Sequence, residues 1–201
     1  YIMENLKKNL IKRGYDVSIF DTSDEAKEYL LKVIDKKSTV GIGGSITIKE
    51  LGIDEELKNR GNKVLWHWTA PAKEKKAVRE SAGNADIYLC SSNAVTKDGQ
   101  LVNIDGTCNR IAGMLHGTGK VYMVIGANKI AKDFEEAISR IKNVACPANA
   151  KRLGLNTPCA KTGHCMDCTS SDRMCNATLI LDRKPGSHPF EILLVNQEMG
   201  Y

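Results

Sequence analysis

Apolar residues recur along the chain with two spacings that alternate. In residues 1–14 and again in 21–37, leucine, isoleucine and valine tend to return every three or four positions, the spacing of an amphipathic helix. Shorter apolar runs follow at 15–20 and 38–43, and runs of this length are typical of strands. The chain therefore begins as helix, strand, helix, strand.

The same alternation continues through most of the remaining sequence. Strands alternate with helices in this way when a mostly parallel sheet carries helices on both of its faces. The pattern therefore predicts an α/β fold. Further strands are predicted at 62–68, 85–92 and 120–126, and further helices at 45–61, 70–83, 108–117, 133–145 and 147–154.

Two parts of the chain favour antiparallel pairing instead. Residues 94–105 contain two short apolar runs around an Asp-Gly pair, which is a hairpin signal. The last two apolar runs, 177–183 and 191–196, are predicted to close the chain as a strand pair. An apolar pair at a sheet edge needs cover, which favours a symmetric homodimer. The prediction is one domain over 1–201, interrupted by a cysteine-rich segment at 155–176.

Composition and charge limit the classes of function that the chain could have. The chain has 201 residues, of which 42% are apolar and 26% charged, a balance typical of one globular domain. The net charge of +5 comes from scattered lysines and arginines, so we expect no nucleic-acid partner. No apolar run is long enough to span a membrane, and the N-terminal stretch lacks the apolar core of a signal peptide. We therefore expect a cytoplasmic protein, whose thiols stay reduced.

The glycine-rich turn after the second predicted strand is a candidate anion site. Gly43 and Gly44 allow a ligand to approach the backbone, and the helix start that follows attracts anions. Ser45 is placed to cap that helix, and Thr47 adds a second hydroxyl. The turn matches neither a Walker A loop nor the dinucleotide fingerprint. The alternative is a tight turn without a ligand.

Other polar residues also follow predicted strands. Because ligands collect at the carboxyl ends of parallel strands, we expect these segments to converge with the glycine turn. Their cations would meet a small anionic metabolite, with Asp105 or Glu50 as the acid or base. The alternative for each charge is a surface ion pair. The candidates are Glu50, Asp105, Asn109, Arg110, Asn128 and Lys129.

Four of the seven cysteines stand within seventeen positions of the cysteine-rich segment. Their spacing is C-x5-C-x2-C-x6-C. The central C-x2-C suits both zinc and iron–sulfur clusters, but the uneven outer spacing favours a [4Fe–4S] cluster over zinc. Buried or regulatory thiols without metal are the third interpretation. Cys90 and Cys146 are not expected to be ligands. The predicted ligands are Cys159, Cys165, Cys168 and Cys175.

Several spaced motifs together resemble the LUD family, named for lactate utilisation. They are GIGGSIT at 41–47, KELG at 49–52, the long stretch 85–117 and KVYMVIGANKI at 120–130, together with the cysteine segment and the closing Gly-Tyr. The family pattern has glycine or a small residue where this chain has Cys108. The resemblance implies a three-layer α/β/α sandwich like that of ribose-phosphate isomerases, glucosamine-phosphate deaminases and CoA transferases. It is also the main reason for expecting a symmetric homodimer.

The resemblance also implies a function. Family members include a component of bacterial lactate oxidation that works beside iron–sulfur subunits, so the first hypothesis is an iron–sulfur redox protein that serves oxidation of lactate or a related acid, with redox partner proteins. The second is a non-redox isomerase or CoA-transferase-like enzyme, acting on a phosphorylated or CoA-linked metabolite, with structural zinc. The third is a non-catalytic partner subunit. The isolated histidines, His67, His116 and His188, are expected to be structural.

Overall fold

A six-stranded parallel sheet forms the centre of the computed structural model, which describes residues 1–201. The sheet runs in the order β1-β10-β7-β4-β2-β3, and a smaller sheet runs in the order β8-β5-β6-β9. The ten strands are β1 (Asp16–Phe20), β2 (Val40–Ile42), β3 (Val64–Trp66), β4 (Ile87–Cys90), β5 (Ala94–Thr96), β6 (Leu101–Asp105), β7 (Lys120–Gly126), β8 (Ile130–Ala131), β9 (Ala177–Leu181) and β10 (Phe190–Val195).

Nine α-helices accompany the strands, and several begin at the caps that the sequence provides. Thr22 accepts a hydrogen bond from the Glu25 backbone while the Glu25 side chain bonds back, so the second helix starts with a capping box. No helix is both long and apolar enough to cross a bilayer. The helices are α1 (Ile2–Lys12), α2 (Ser23–Val33), α3 (Ile46–Leu51), α4 (Ile53–Asn59), α5 (Lys75–Ala82), α6 (Asn109–Leu115), α7 (Phe134–Arg140), α8 (Cys146–Arg152) and α9 (Pro158–Thr162).

Alternating side chains of the central strands build two separate cores. In β7, Val121 and Met123 face the core that α1, α5 and α6 share with the smaller sheet. Tyr122 and Val124 face the opposite core, beneath α2, α3 and α4. Because both faces are covered, β7 and β10 are buried along almost their whole length. The predicted three-layer α/β/α architecture is confirmed.

The smaller sheet confirms one antiparallel prediction and corrects the other. β5 and β6 form the predicted hairpin around Gly99, whose φ is +89°. The predicted closing pair was wrong, because β9 pairs with β6 in the smaller sheet while β10 lies between β1 and β7. Every residue of β10 is buried, which suits a central strand and not an edge. The argument for a dimer from an exposed closing pair therefore fails.

A single turn of π-helix, Ile141–Ala145, joins α7 to α8. Pro147 has no backbone N–H, so a regular α-helix could not form its hydrogen bond to the Asn143 carbonyl. The Cys146 N–H instead bonds to the Ile141 carbonyl, five residues back. Ala145, the last residue of this widened turn, and Cys146, the first residue of α8, both line the main cavity.

Candidate functional site

A cavity of about 530 Å³ opens at the carboxyl ends of the parallel strands. The segments that follow β2, β3, β4 and β7 supply Gly44, His67, Ser91 and Lys129 to its wall. This convergence is the arrangement expected of a ligand site in an open parallel sheet. The volume lies within the range of about 300–1,000 Å³ that is usual for small-molecule sites.

The wall of this pocket is strongly cationic. Six lysines and arginines line it against one carboxylate, Asp105. Among the six, Arg110 alone lies within ion-pair distance of a carboxylate, at 3.8 Å from Asp105. The other five have no carboxylate partner within ion-pair distance, which suits an anionic ligand. The six cations are Lys49, Lys75, Arg79, Arg110, Lys129 and Arg152.

The glycine turn forms one side of the pocket, as the sequence predicts. Ser45 caps α3 by accepting a hydrogen bond from the Ile48 N–H at 3.2 Å, and both Ser45 and Thr47 line the cavity. A Cβ on Gly44 would stand 3.3 Å from the Trp68 indole nitrogen, so a side chain there would crowd the wall. Gly43 lies behind the wall.

Lys129 is the most deeply buried cation of the site. Its ammonium group donates hydrogen bonds to Thr47 Oγ1 at 2.6 Å and Ser91 Oγ at 2.9 Å, and no carboxylate pairs with it. Burial, with the charges of Arg140 and Arg110, lowers the pKa of Lys129 to about 7. A lysine with such a pKa can carry or release a proton near neutral pH.

Arg110 acts on the site by positioning its loops. The guanidinium donates to the carbonyls of Ser91 and Ile104 and to the side chains of Asn93 and Asn103. These four hydrogen bonds occupy the guanidinium N–H groups that Arg110 would need in order to bind a ligand. We therefore assign it a positioning role in place of the predicted direct contact.

Asp105 holds the start of α6. Its carboxylate accepts hydrogen bonds from the backbone N–H groups of Cys108 and Ile111, at 3.2 and 3.3 Å. The side chain lines the pocket and is mostly buried. Asn109, the first residue of α6, also lines the pocket.

Besides Gly43, two predicted residues lie outside the wall. Glu50 is exposed and accepts a hydrogen bond from the Gly200 N–H. Asn128 accepts from the Met199 N–H and donates to the Gly200 carbonyl. Both side chains hold the segment after β10 against the glycine turn, so they position Tyr201, which lines the pocket.

The sequence interpretation missed the aromatic side of the pocket. His67 and Trp68 follow β3 and line the cavity, and the Arg152 guanidinium stands 4.6 Å above the Trp68 ring. His67 is 92% buried, and its Nδ1 has no hydrogen-bond partner. Arg79, whose Nε is likewise without a partner, lines the same side. Both positions follow or cover a strand end, which is the signal that could have identified them.

The cysteine-rich segment borders the pocket through Met174, next to Cys146 of α8. Both line the cavity wall, and Cys175 packs against the core that contains Cys146. The interaction between the neighbouring Cys146 and Cys175 thiols raises the pKa of Cys146 and lowers that of Cys175. Cys146, which is not expected to be a ligand, thus lies beside a predicted ligand.

The remaining cysteines of the segment are free thiols with polar neighbours. Cys159 Sγ lies 3.3 Å from Thr157 Oγ1, and Cys165 Sγ accepts a hydrogen bond from the Asp167 N–H at 3.4 Å. The Cys168 carbonyl accepts a hydrogen bond from Arg173. No three His, Cys, Asp or Glu side chains gather closely enough to hold a single metal ion. The structure therefore gives no support to a preformed zinc site.

The sequence profile of the LUD domain family matches residues 3–195. The chain belongs to the LUD domain family. This family is associated with lactate utilisation. No curated protein matches the chain by sequence.

A solved structure supports the fold of this LUD domain. The crystal structure of a DUF162 family protein from Deinococcus radiodurans is similar, with a TM-score of 0.56 over 96% of each chain. The two sequences are 13% identical, so the likeness concerns the fold alone.

Proposed function

We propose that this LUD domain binds a small anionic metabolite in the cationic pocket and serves the oxidation of lactate or a related small carboxylic acid. The observation that carries the proposal is Lys129. Its buried ammonium group faces the cavity without a carboxylate partner, between the hydroxyls of Thr47 and Ser91. A buried cation with no counter-ion is costly unless an anion joins it.

The chemistry available to the chain follows from the same group. Thr47 and Ser91 occupy two directions around the Lys129 nitrogen, which leaves one for a ligand. In its charged form Lys129 would bind the carboxylate of a 2-hydroxy acid. In its neutral form it would accept the proton of the hydroxyl group, because its pKa is about 7.

We also propose that the cysteine-rich segment binds a [4Fe–4S] cluster, which supplies one-electron transfer when bound. Its proposed ligands are Cys159, Cys165, Cys168 and Cys175. The donor chemistry fits, since all four are free thiols and none is fully buried. A cluster is larger than a single ion, so its thiolates can stand further apart than a zinc site allows.

The position of the segment supports the redox role. Cys146 and Met174 belong to the pocket wall, and Cys175 is the next residue after Met174. A cluster held there would lie beside the bound metabolite. Oxidation of a 2-hydroxy acid to a 2-oxo acid releases two protons and two electrons. Lys129 would take the hydroxyl proton, the proton from C2 would pass to solvent, and an oxidised redox partner protein would be the final acceptor of both electrons.

Ligand binding tests the pocket. We expect L-lactate, pyruvate or glycerate to bind the full chain in isothermal titration calorimetry, and Lys129→Met to weaken binding about tenfold or more, because a charge-assisted bond is lost. The matched control is Lys132→Met, which removes an exposed lysine outside the pocket. Unchanged affinity in Lys129→Met would contradict the site.

Anaerobic purification tests the cluster separately. We expect a brown protein with iron and acid-labile sulfide in equal amounts, and loss of both in Cys165→Ser. Cys90→Ala is the control, because Cys90 lies buried in β4. A colourless protein that retains zinc would favour the non-redox enzyme, and one that binds neither metal nor metabolite would favour a partner subunit.

A further inference from the structure

We propose that the pocket contains a second anion subsite around His67, and that the ligand is a small carboxylic acid that also carries a phosphate ester. The inference rests on the proposed function, which assigns the carboxylate to Lys129. The second subsite is built from Lys75, Arg79 and Arg152 beside the His67 ring, and all of these residues line the cavity.

Two unpartnered polar atoms mark this subsite. His67 Nδ1 and Arg79 Nε are both buried and make no hydrogen bond, although both residues line the pocket. Buried polar atoms are nearly always paired, so two orphaned ones on one wall point to a missing partner. A phosphate has enough acceptor oxygens to satisfy both.

The charges agree with a doubly charged group. Lys75, Arg79 and Arg152 form no ion pair within the chain, so their positive charge is not neutralised by the protein's own acids. Arginine presents planar, forked donors that match phosphate oxygens. A single carboxylate would leave most of this charge uncompensated.

The two anion subsites have different neighbours. The neighbouring groups that shift the pKa of Lys129 electrostatically are Arg140, Arg110, Glu50 and Cys90. Those that shift the pKa of His67 come from a separate group: Arg79, Lys75, Asp105 and Arg152.

Gly44 stands between the two groups. A Cβ there would lie 3.5 Å from His67 Cε1, while Thr47, three residues later in the first turn of α3, accepts the hydrogen bond from Lys129. A ligand that lies across Gly44, which has no side chain, would reach both the group around His67 and the group around Lys129. The cavity of about 530 Å³ is also larger than a three-carbon acid requires.

The experiment compares glycerate with 3-phosphoglycerate on the full chain by isothermal titration calorimetry. We expect the phosphorylated acid to bind at least tenfold more tightly. Arg79→Gln should abolish this preference, and Lys129→Met should weaken the binding of both acids. The matched control is Arg183→Gln, which removes an exposed arginine outside the pocket and should preserve the preference.

Each outcome separates the two proposals. Equal affinities for the two acids in the unaltered chain would overturn the second subsite and leave the proposed function standing. Binding of neither acid would overturn both. A preference that survives in Arg79→Gln and in Lys75→Gln would show that the phosphate is bound elsewhere, and circular dichroism of each variant would establish that it is folded.

Discussion

Cys108 holds a backbone conformation that side chains rarely adopt. Its φ is +67°, in the left-handed region, where it precedes α6 as the N-cap residue. The glycine or small residue of the family pattern suits this position, because glycine adopts a positive φ without a steric penalty. The sequence alone put Cys108 inside the first turn of the helix, since a local pattern does not reveal a single left-handed residue.

Replacing Cys108 should test this strain directly. Cys108→Gly is expected to keep or raise the free energy of unfolding, by up to about 1 kcal/mol, because the penalty of about 1–2 kcal/mol for the left-handed region is relieved. Cys108→Val should lower it by about the same amount, since a branched Cβ is least tolerated there. Urea unfolding of the two variants gives the comparison, and a less stable glycine variant would refute the strain.

The pKa of Lys129 predicts how anion binding depends on pH. Below about pH 7 the ammonium group is charged and binds an anion, and above it the neutral amine loses that attraction. Sulfate keeps its charge throughout, so its affinity should fall about tenfold between about pH 6 and about pH 9. Lys129→Met should bind weakly at every pH. A sulfate affinity that is flat with pH in the unaltered chain would contradict the assignment.

At the scale of elements, local patterns predicted nearly every helix and strand but not where the last strands lie. Residues 191–196 read as an apolar run, yet their partners are β1 and β7, about 170 and 70 residues earlier in the chain. Nothing local encodes such distant pairing. The glycine turn and Lys129 could be predicted because each follows a strand. His67 also follows a strand, but the residue type alone does not distinguish a histidine that faces a ligand from a structural one.

The contact between β2 and α5 depends on one glycine. A Cβ on Gly41 would overlap the backbone of Ala82, whose carbonyl carbon would lie 2.7 Å away. Gly41→Ala should therefore lower the free energy of unfolding by about 3 kcal/mol or more, since backbone cannot move aside as a side chain can. Gly186→Ala is the control, because that site has open space. Thermal unfolding of both variants would decide the matter.

At the scale of the whole molecule, the site is built from segments that lie far apart in the sequence. Gly44, His67, Ser91 and Lys129 follow four different strands, and Tyr201 lies beyond β10. The homodimer stays a prediction that rests on the resemblance alone, because the closing strands no longer argue for it. Light scattering should give about twice the 22.1 kDa of one chain, and a mass of one chain would reject the dimer.

The central place of β10 also bears on how the protein comes to be folded in the cell. β1 pairs with β10 and with no other strand, so residues 16–20 stay without a hydrogen-bonding partner until residues 190–195 have been synthesised. Chains grow at about 5–20 residues per second, so this exposed apolar strand waits for about ten seconds or longer. We infer that the central sheet is completed only late in synthesis. Nascent chains that still lack residues 190–195 are therefore the form most prone to aggregation and to binding by chaperones.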